Sequence, residues 1–330
     1  MNNIALISGT SNETLSKNIA SCSNLKLHDT EICHFPDSEI MIKINDDVRG
    51  KDCFVIQPTC PDVNTNLMEL LIIIDCLRRA SAERITAVVP YFGYARQDRK
   101  SEGRTPITAK LVANLLDIAG ADRILTIDLH AMQIEGFFDI PVDHLRALQV
   151  FVNYLQETDL SNTVILSPDV GNMKIASMYA EYLNTDIAVI DKRRINSRCV
   201  ETNKIIGEVE GKNILIIDDV ISTAGTVYKA ASLAQEKGAK NVKVIATHGL
   251  FSDNAAEKLL SLSNVDEIIV TDTIPLTNQK LIDQKVDSTL NRHILPKITI
   301  LSVANLLKDA IIRIHKNESV SVLLEPSNWK

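Results

Sequence analysis

Short apolar runs, many of them followed by stretches of helical spacing, recur along this chain, and that alternation constrains the fold more than any other feature. The runs occupy residues 4–7, 53–57, 86–89, 124–127, 163–166, 187–190, 214–217, 242–246 and 268–270. Helical spacing appears at 66–81, 105–119, 172–184, 226–237 and 254–262. Strands covered on both faces read as continuous apolar runs, so β and α in alternation predict mainly parallel sheets flanked by helices. The helix at 66–81 is apolar around most of its circumference, which suits burial between layers. A chain of 330 residues exceeds the size at which one core stops growing, so two domains of about 150 residues are expected. A boundary near 145–155 separates the first group of strands from a helix beginning around Leu145, and no Gly/Ser-rich linker marks it. The strand at 124–127, ending in Asp128, resembles the strand at 214–217 in form, which hints at two copies of one architecture.

Composition narrows the partners. A net charge of −7 argues against a general nucleic-acid binder, and 45% hydrophobic residues with only 4% aromatics fit aliphatic α/β layers. Cys22, Cys33, Cys53, Cys60, Cys76 and Cys199 form no CxxC pair or zinc spacing and read as reduced thiols, small and buried. The amino terminus enters a strand without a basic region and a long apolar one, and runs such as 70–74 are too short to cross a bilayer. A soluble cytoplasmic protein without membrane partners is the expectation.

The chemistry concentrates after the strand at 214–217. Asp218 and Asp219 are followed by Val220 and Ile221, then by Ser222, Thr223, Ala224, Gly225 and Thr226, which open a helix near Val227. Small residues at a helix start present backbone N–H groups and hydroxyls to a phosphate, and the helix dipole favours the anion. Two adjacent carboxylates repel that phosphate and instead suit two neighbouring ribose hydroxyls. A metal-binding pair or a solvated strand end is the competing reading at this point.

Other clusters complete the picture. The run from Pro90 to Lys100 sets Tyr91, Phe92 and Tyr94 beside Arg96, Arg99 and Lys100, a loop able to stack a base and neutralise phosphates, unless its aromatics belong to the core. Arg96 is its strongest phosphate candidate. His130 sits just past a strand end, and Asp169, in the Ser167–Gly171 stretch, follows another; with waters and substrate oxygens they suit magnesium, which takes few protein ligands. Asp191, Lys192, Arg193 and Arg194 lead into a polar connection without periodicity, read as a mobile cationic loop. A closing loop that brings Lys and Arg is apt for stabilising a transferring phosphoryl group, although a basic surface hairpin fits too. Together the clusters suggest one nucleotide and one sugar phosphate.

These residues resemble the phosphate-activated ribose-phosphate diphosphokinases, also called phosphoribosyl pyrophosphate synthetases. The similarity runs end to end, through residues 35–39, 48–52, 66–70, 91–98, 106–110, 128–130, 167–169, 191–194 and 218–226. It implies an α/β chain of two tandem type I phosphoribosyltransferase-like domains, each a mainly parallel sheet flanked by helices. The expected bounds are 1–147 and 148–303, with 304–330 packing back on the first domain. The implied reaction is ATP plus ribose 5-phosphate giving AMP and 5-phosphoribosyl 1-diphosphate. By resemblance Phe35, Asp37, Ser38, Glu39, Arg96 and Gln97 hold ATP, the first group across a subunit interface of a hexamer built from dimers. His130 and Asp169 carry Mg2+. Lys192 and Arg194 are catalytic, and Arg194, Asp218, Asp219 and Ser222 to Thr226 bind ribose 5-phosphate. Arg104 belongs to a regulatory site for inorganic phosphate, the possible activator.

The chain also departs from that family. Ser222 stands where an aspartate is usual, and Ser38 and Asn172 where glycines are usual. Ile195, Asn196 and Ser197 replace a Pro/Arg-rich run, and Met132 replaces a small polar residue at the regulatory site. Loss of the aspartate predicts weakened sugar handling with the phosphate pocket retained. Two alternatives accompany the active synthetase: a catalytically weak regulatory homologue that co-assembles with a true synthetase, and a phosphoribosyltransferase that consumes the diphosphate.

Overall fold

A computed structural model of the chain describes residues 3–196, 199–276 and 297–325, with residues 192–196, 199–203 and 297 described by their backbone alone. The chain divides into two compact units: Met1–Ala147 with Thr273–Pro275 and Ser302–Lys330, and Leu148–Asp272 with Leu276–Leu301.

In the first unit the elements are β1 (Ile4–Ser8), α1 (Glu13–Ser23), β2 (Thr30–His34), β3 (Ile40–Ile44), β4 (Asp52–Ile56), α2 (Val63–Arg79), β5 (Arg84–Val89), α3 (Thr108–Ala119), β6 (Arg123–Ile127) and β7 (Val142–Leu145). The five-stranded sheet runs β1-β4-β5-β6-β7, parallel throughout. All five residues of β4 are buried; Cys53 to Ile56 read as an apolar run, and the buried Asp52 before them is paired with Arg84. Helix α2 buries Asn66, Leu67, Glu69, Leu70, Ile73, Ile74 and Leu77, and the partly buried Ile42 and Ile44 of β3 join the same apolar cluster. Strands β2 and β3 form a separate antiparallel pair. The C-terminal helix Ala304–His315 packs on α1. Residues 326–330 of the expected C-terminal segment lie outside the described residues.

The second unit holds α4 (Leu148–Leu155), β8 (Thr163–Ser167), α5 (Met173–Leu183), β9 (Asp186–Asn196), β10 (Cys199–Ile206), β11 (Asn213–Ile221), α6 (Gly225–Glu236), β12 (Asn241–Gly249), α7 (Ala255–Leu260), β13 (Val265–Thr271) and β14 (Lys297–Leu301). Its sheet runs β10-β9-β8-β11-β12-β13-β14. Only β9 and β10 pair antiparallel.

The structure corrects several sequence expectations. The polar stretch after Ile190 is strand rather than loop up to Asn196: β9 continues through it, paired with β10 from Ile206 opposite Val189 to Cys199 opposite Asn196, while Ser197 and Arg198 lie outside the described residues. Backbone pairing in such a ribbon needs no apolar face, so no periodicity announced it. Strand β11 does not stop at Ile217 but runs to Ile221, carrying Asp218 and Asp219 inside it. The helix expected near Leu145 begins at Leu148, because Leu145 belongs to β7. Helix α1 was missed: Ser16 and Ser23 interrupt its buried face, although the Asn12 side chain caps it by accepting from the Leu15 N–H. Among the cysteines, Cys53 and Cys60 are buried as expected, whereas Cys22 and Cys33 are exposed.

Candidate active site

In the second unit, β9, β8 and β11 are neighbours, and their carboxyl ends share one edge of the sheet. Ligands in open α/β sheets bind beyond that edge. Lys192 and Arg194 fall on β9, opposite Asn203 and Glu201 of β10, in the segment described by backbone alone. Asp169 follows β8, and Asp218 and Asp219 lie in β11.

The Asp219 N–H donates to Asp218 Oδ1 at 3.0 Å. Burial pushes the Asp218 carboxyl well above its ordinary range, and the neighbouring charges of Asp219 and Asp169 push it further. The pair therefore resists carrying two full charges without a ligand, a refinement of two simply ionised acceptors. Hydroxyl donors or a cation would relieve that strain.

The turn after β11 is short. Ala224 adopts a left-handed conformation, φ 57°, and caps α6 without a side-chain bond; the first helical bond runs from the Tyr228 N–H to the Ala224 carbonyl at 2.8 Å. The N–H groups of Gly225, Thr226 and Val227 therefore precede the helical ladder, as an anion site requires. Among the described residues a Cβ placed on Gly225 would meet only Thr223 Oγ1, at 3.9 Å, so nothing described crowds that residue. The backbone is anchored from the other side: Phe251 N–H donates to Ile221 O at 3.0 Å and Ser252 N–H to Ser222 O at 3.1 Å.

Asp169 caps the 3-10 turn Val170–Asn172, its Oδ1 accepting from the Asn172 N–H at 3.0 Å. The Asn172 side chain then donates to the Ile217 carbonyl at 2.7 Å. Sequence reasoning noted Asn172 only as a replaced glycine; no spacing rule foretells that link. With φ −90° Asn172 has no need of glycine, whereas Ser38 at φ 74° lies where glycine is favoured.

In the first unit, β5 and β6 are neighbours, and the loop carrying Arg96 and Gln97 and the turn carrying His130 leave the same sheet edge. Arg96 and His130 are exposed. Gln97 is pinned, its N–H donating to Tyr94 O at 2.9 Å and its Oε1 accepting from Thr108 Oγ1 at 2.5 Å. Tyr91 and Phe92 are buried, Phe92 edge-on to Phe138 with centroids 5.6 Å apart, so these two aromatics belong to the core and do not stack a base. Asp128 braces the His130 turn, its Oδ2 accepting from the Ala147 N–H at 3.0 Å. Sequence reasoning missed His144 as a second brace: its buried Nε2 accepts from the Leu129 N–H at 2.9 Å.

Phe35, Asp37, Ser38 and Glu39 sit on the separate β2–β3 hairpin, all exposed at its tip. Phe35 N–H donates to Glu39 O and Ser38 N–H to Phe35 O, both at 2.8 Å, while Asp37 Oδ1 accepts from the Glu39 N–H at 3.2 Å. An aromatic ring 49% exposed on a tightly bonded tip is presented rather than packed. Arg104, at φ 66°, and Met132 are also exposed. Among the described residues no three or more His, Cys, Asp or Glu side chains group as a metal-binding set. Nor is any described helix long and apolar enough to cross a membrane.

Parallel α/β units, one carrying a carboxylate pair ahead of a helix start at its strand ends, place the chain in the class of α/β proteins that bind ligands beyond the carboxyl edge of the sheet. The family described as "N-terminal domain of ribose phosphate pyrophosphokinase" matches residues 4–120, and the "phosphoribosyl synthetase-associated domain" matches residues 194–325. Ribose-phosphate pyrophosphokinases of Rhodopirellula baltica and Thermotoga maritima are 50% and 48% identical to the chain; each alignment covers 98% of it, and 99% and 98% of those proteins. The crystal structure of phosphoribosylpyrophosphate synthetase from Mycobacterium smegmatis superposes with a TM-score of 0.86 at 40% identity, over 96% of this chain and 99% of that one. The chain belongs to the ribose-phosphate pyrophosphokinase family, and its fold is that of two tandem phosphoribosyltransferase-like domains.

Proposed function

We infer that this enzyme transfers the β,γ-diphosphoryl group of ATP to the C1 hydroxyl of ribose 5-phosphate, giving 5-phosphoribosyl 1-diphosphate and AMP for nucleotide biosynthesis. The observation that carries the sugar half is the end of β11, where a carboxylate pair precedes the start of α6 by a few residues. Asp218 and Asp219 accept hydrogen bonds from ribose hydroxyls. The backbone N–H groups at Gly225 and Thr226, with the hydroxyls of Thr223 and Thr226, receive the 5-phosphate, and Ser222, where relatives carry an aspartate, lies toward the sugar.

The other roles follow the family resemblance, residue by residue. Phe35 stacks on the adenine, Asp37, Ser38 and Glu39 bond its edge, and Arg96 and Gln97 lie along the nucleotide. An exposed hairpin tip suits a contribution to a neighbouring subunit, in a homo-oligomer built as a hexamer of dimers. Lys192 and Arg194 stabilise the diphosphoryl group as the sugar oxygen bonds to the β-phosphorus and the bond to AMP breaks. No protein nucleophile is needed, so positioning and charge account for the rate.

Magnesium fits the donors: carboxylate oxygens suit a hard cation, and the charge crowded at Asp169, Asp218 and Asp219 favours one. Asp169 and His130 are its proposed protein ligands, and bound magnesium would neutralise charge on the diphosphoryl oxygens. Arg104 is assigned to inorganic phosphate as an activator, with Met132 weakening that site. The free thiols among the described cysteines accord with a reducing, cytoplasmic setting.

The test is to incubate the purified protein with magnesium, ATP and ribose 5-phosphate, with and without inorganic phosphate, and follow AMP. AMP and the diphosphate ester should form in equal amounts. No AMP at high enzyme, despite measurable ATP binding, would reject catalysis in favour of a regulatory homologue.

A further inference from the structure

Asn172 occupies the N-cap position of α5, yet its side chain makes no capping bond to that helix. Asparagine is among the strongest capping residues, so an uncapped helix start beside one means the amide is engaged elsewhere. Its nitrogen donates to the Ile217 carbonyl at 2.7 Å, while its backbone N–H donates to Asp169 Oδ1 at 3.0 Å. One residue thus grips the Asp169 carboxylate with its backbone and strand β11 with its side chain.

The strand needs that donor. The ladder between β8 and β11 ends with Leu166 opposite Ile216, because the chain turns away through Pro168. Ile217 comes next and is buried, 1% exposed, where an unpaired carbonyl is costly. Asn172 supplies in side-chain form the bond that β8 no longer makes.

We propose that Asn172 is a positioning residue for ribose 5-phosphate binding: it staples the turn carrying Asp169 to β11 one residue before Asp218, fixing the spacing of the three carboxylates before ligand arrives. The role rests on the assignment of those carboxylates to the sugar and its cation. Like charges repel, so an untethered turn would drift from β11 in the unliganded protein, and binding would have to restore the spacing. Gly171 keeps the turn slim, since a Cβ there would press to 3.3 Å from Asp169 Oδ1.

Asn172→Ala retains the backbone bond to Asp169 and removes only the amide; Asn172→Gln returns a donor on a longer arm. Ribose 5-phosphate binding, measured by titration calorimetry with magnesium and no nucleotide, should weaken about tenfold in Asn172→Ala, as outer-shell partners of a site typically do. KM for the sugar should rise equally, with kcat and KM for ATP near wild type; the unpaired Ile217 carbonyl should lower the melting temperature by a few degrees, and Asn172→Gln should recover part of both losses. Asp218→Asn serves as the reference. If it loses sugar binding while Asn172→Ala binds like wild type, the positioning role alone is overturned. If Asn172→Ala raises both KM values together, the residue is merely structural. Wild-type sugar binding by Asp218→Asn would remove the site assignment and the staple with it.

Discussion

The backbone N–H of Leu129 donates to His144 Nε2 across 2.9 Å, tying the turn that carries His130 to the neighbouring strand β7. Because Nε2 accepts, the ring proton sits on Nδ1, which faces Glu135 Oε1 at 2.5 Å. His144→Leu would leave a buried N–H and a carboxylate without their partner. A loss of about 1–3 kcal/mol is expected in urea denaturation. Wild-type stability would mean that the turn holds itself without His144.

Ser38 adopts φ 74° at the hairpin tip, in the left-handed region that a Cβ disfavours. Ser38→Gly should raise stability by about 1 kcal/mol, the relief of that strain less glycine's added chain entropy. A less stable variant would contradict the strain.

Asp218 offers a pH signature. Its folded value is raised above the ordinary 3.8, chiefly by burial, so the folded protein holds a proton that the unfolded chain releases. The resulting stability is complete below the usual carboxylate range and is lost as pH rises through the folded value. Asp218→Asn cannot lose a proton, so in ligand-free protein its melting temperature should exceed wild type by a few degrees at neutral pH and match it in acid. Ribose 5-phosphate binding should be lost. A melting temperature below wild type at neutral pH would refute the electrostatic penalty.

Lys192→Ala tests the proposed contact to the transferring group. A group that meets charge developing only in the transition state should, when removed, lower kcat about 10²–10³-fold with ATP affinity nearly unchanged. Stopped-flow ATP binding together with steady-state turnover distinguishes the two. Matching losses in both would make Lys192 a ground-state binder.

Ser222→Asp restores the acceptor that relatives usually carry. The turn backbone is held by Phe251 and Ser252 whatever the side chain, so the change should act on the sugar rather than on the fold. A charge-assisted hydrogen bond predicts a KM for ribose 5-phosphate lower by about tenfold. An unchanged KM would show that the sugar does not reach this position.

Fold class was readable because buried strands such as β1 and β11 declare themselves through unbroken apolar runs, Ile4 to Ile7 and Ile214 to Ile217, whatever lies around them. The hairpin of β2 and β3 was not: its strands alternate half-buried with exposed residues over a few positions. The β9–β10 ribbon escaped for a related reason, since main-chain pairing leaves no signature in polar side chains. At the site, the Asp218 to Thr226 run was legible through residue types that fit a sugar and a phosphate. The burial of Tyr91 and Phe92 was not, because an aromatic beside cations looks the same in a core as in a stacking loop.

The amino-acid sequence alone determined the parallel α/β layers, the carboxylate pair, the small-residue turn and the family, because each rests on local residue chemistry at short spacing. Only the tertiary structure decided that Asp218 resists ionisation, that His144 braces Leu129 and that Asn172 reaches Ile217 instead of capping its own helix. Those outcomes depend on distances between residues 15, 45 and more positions apart and on burial among them, and neither is a property of any one segment.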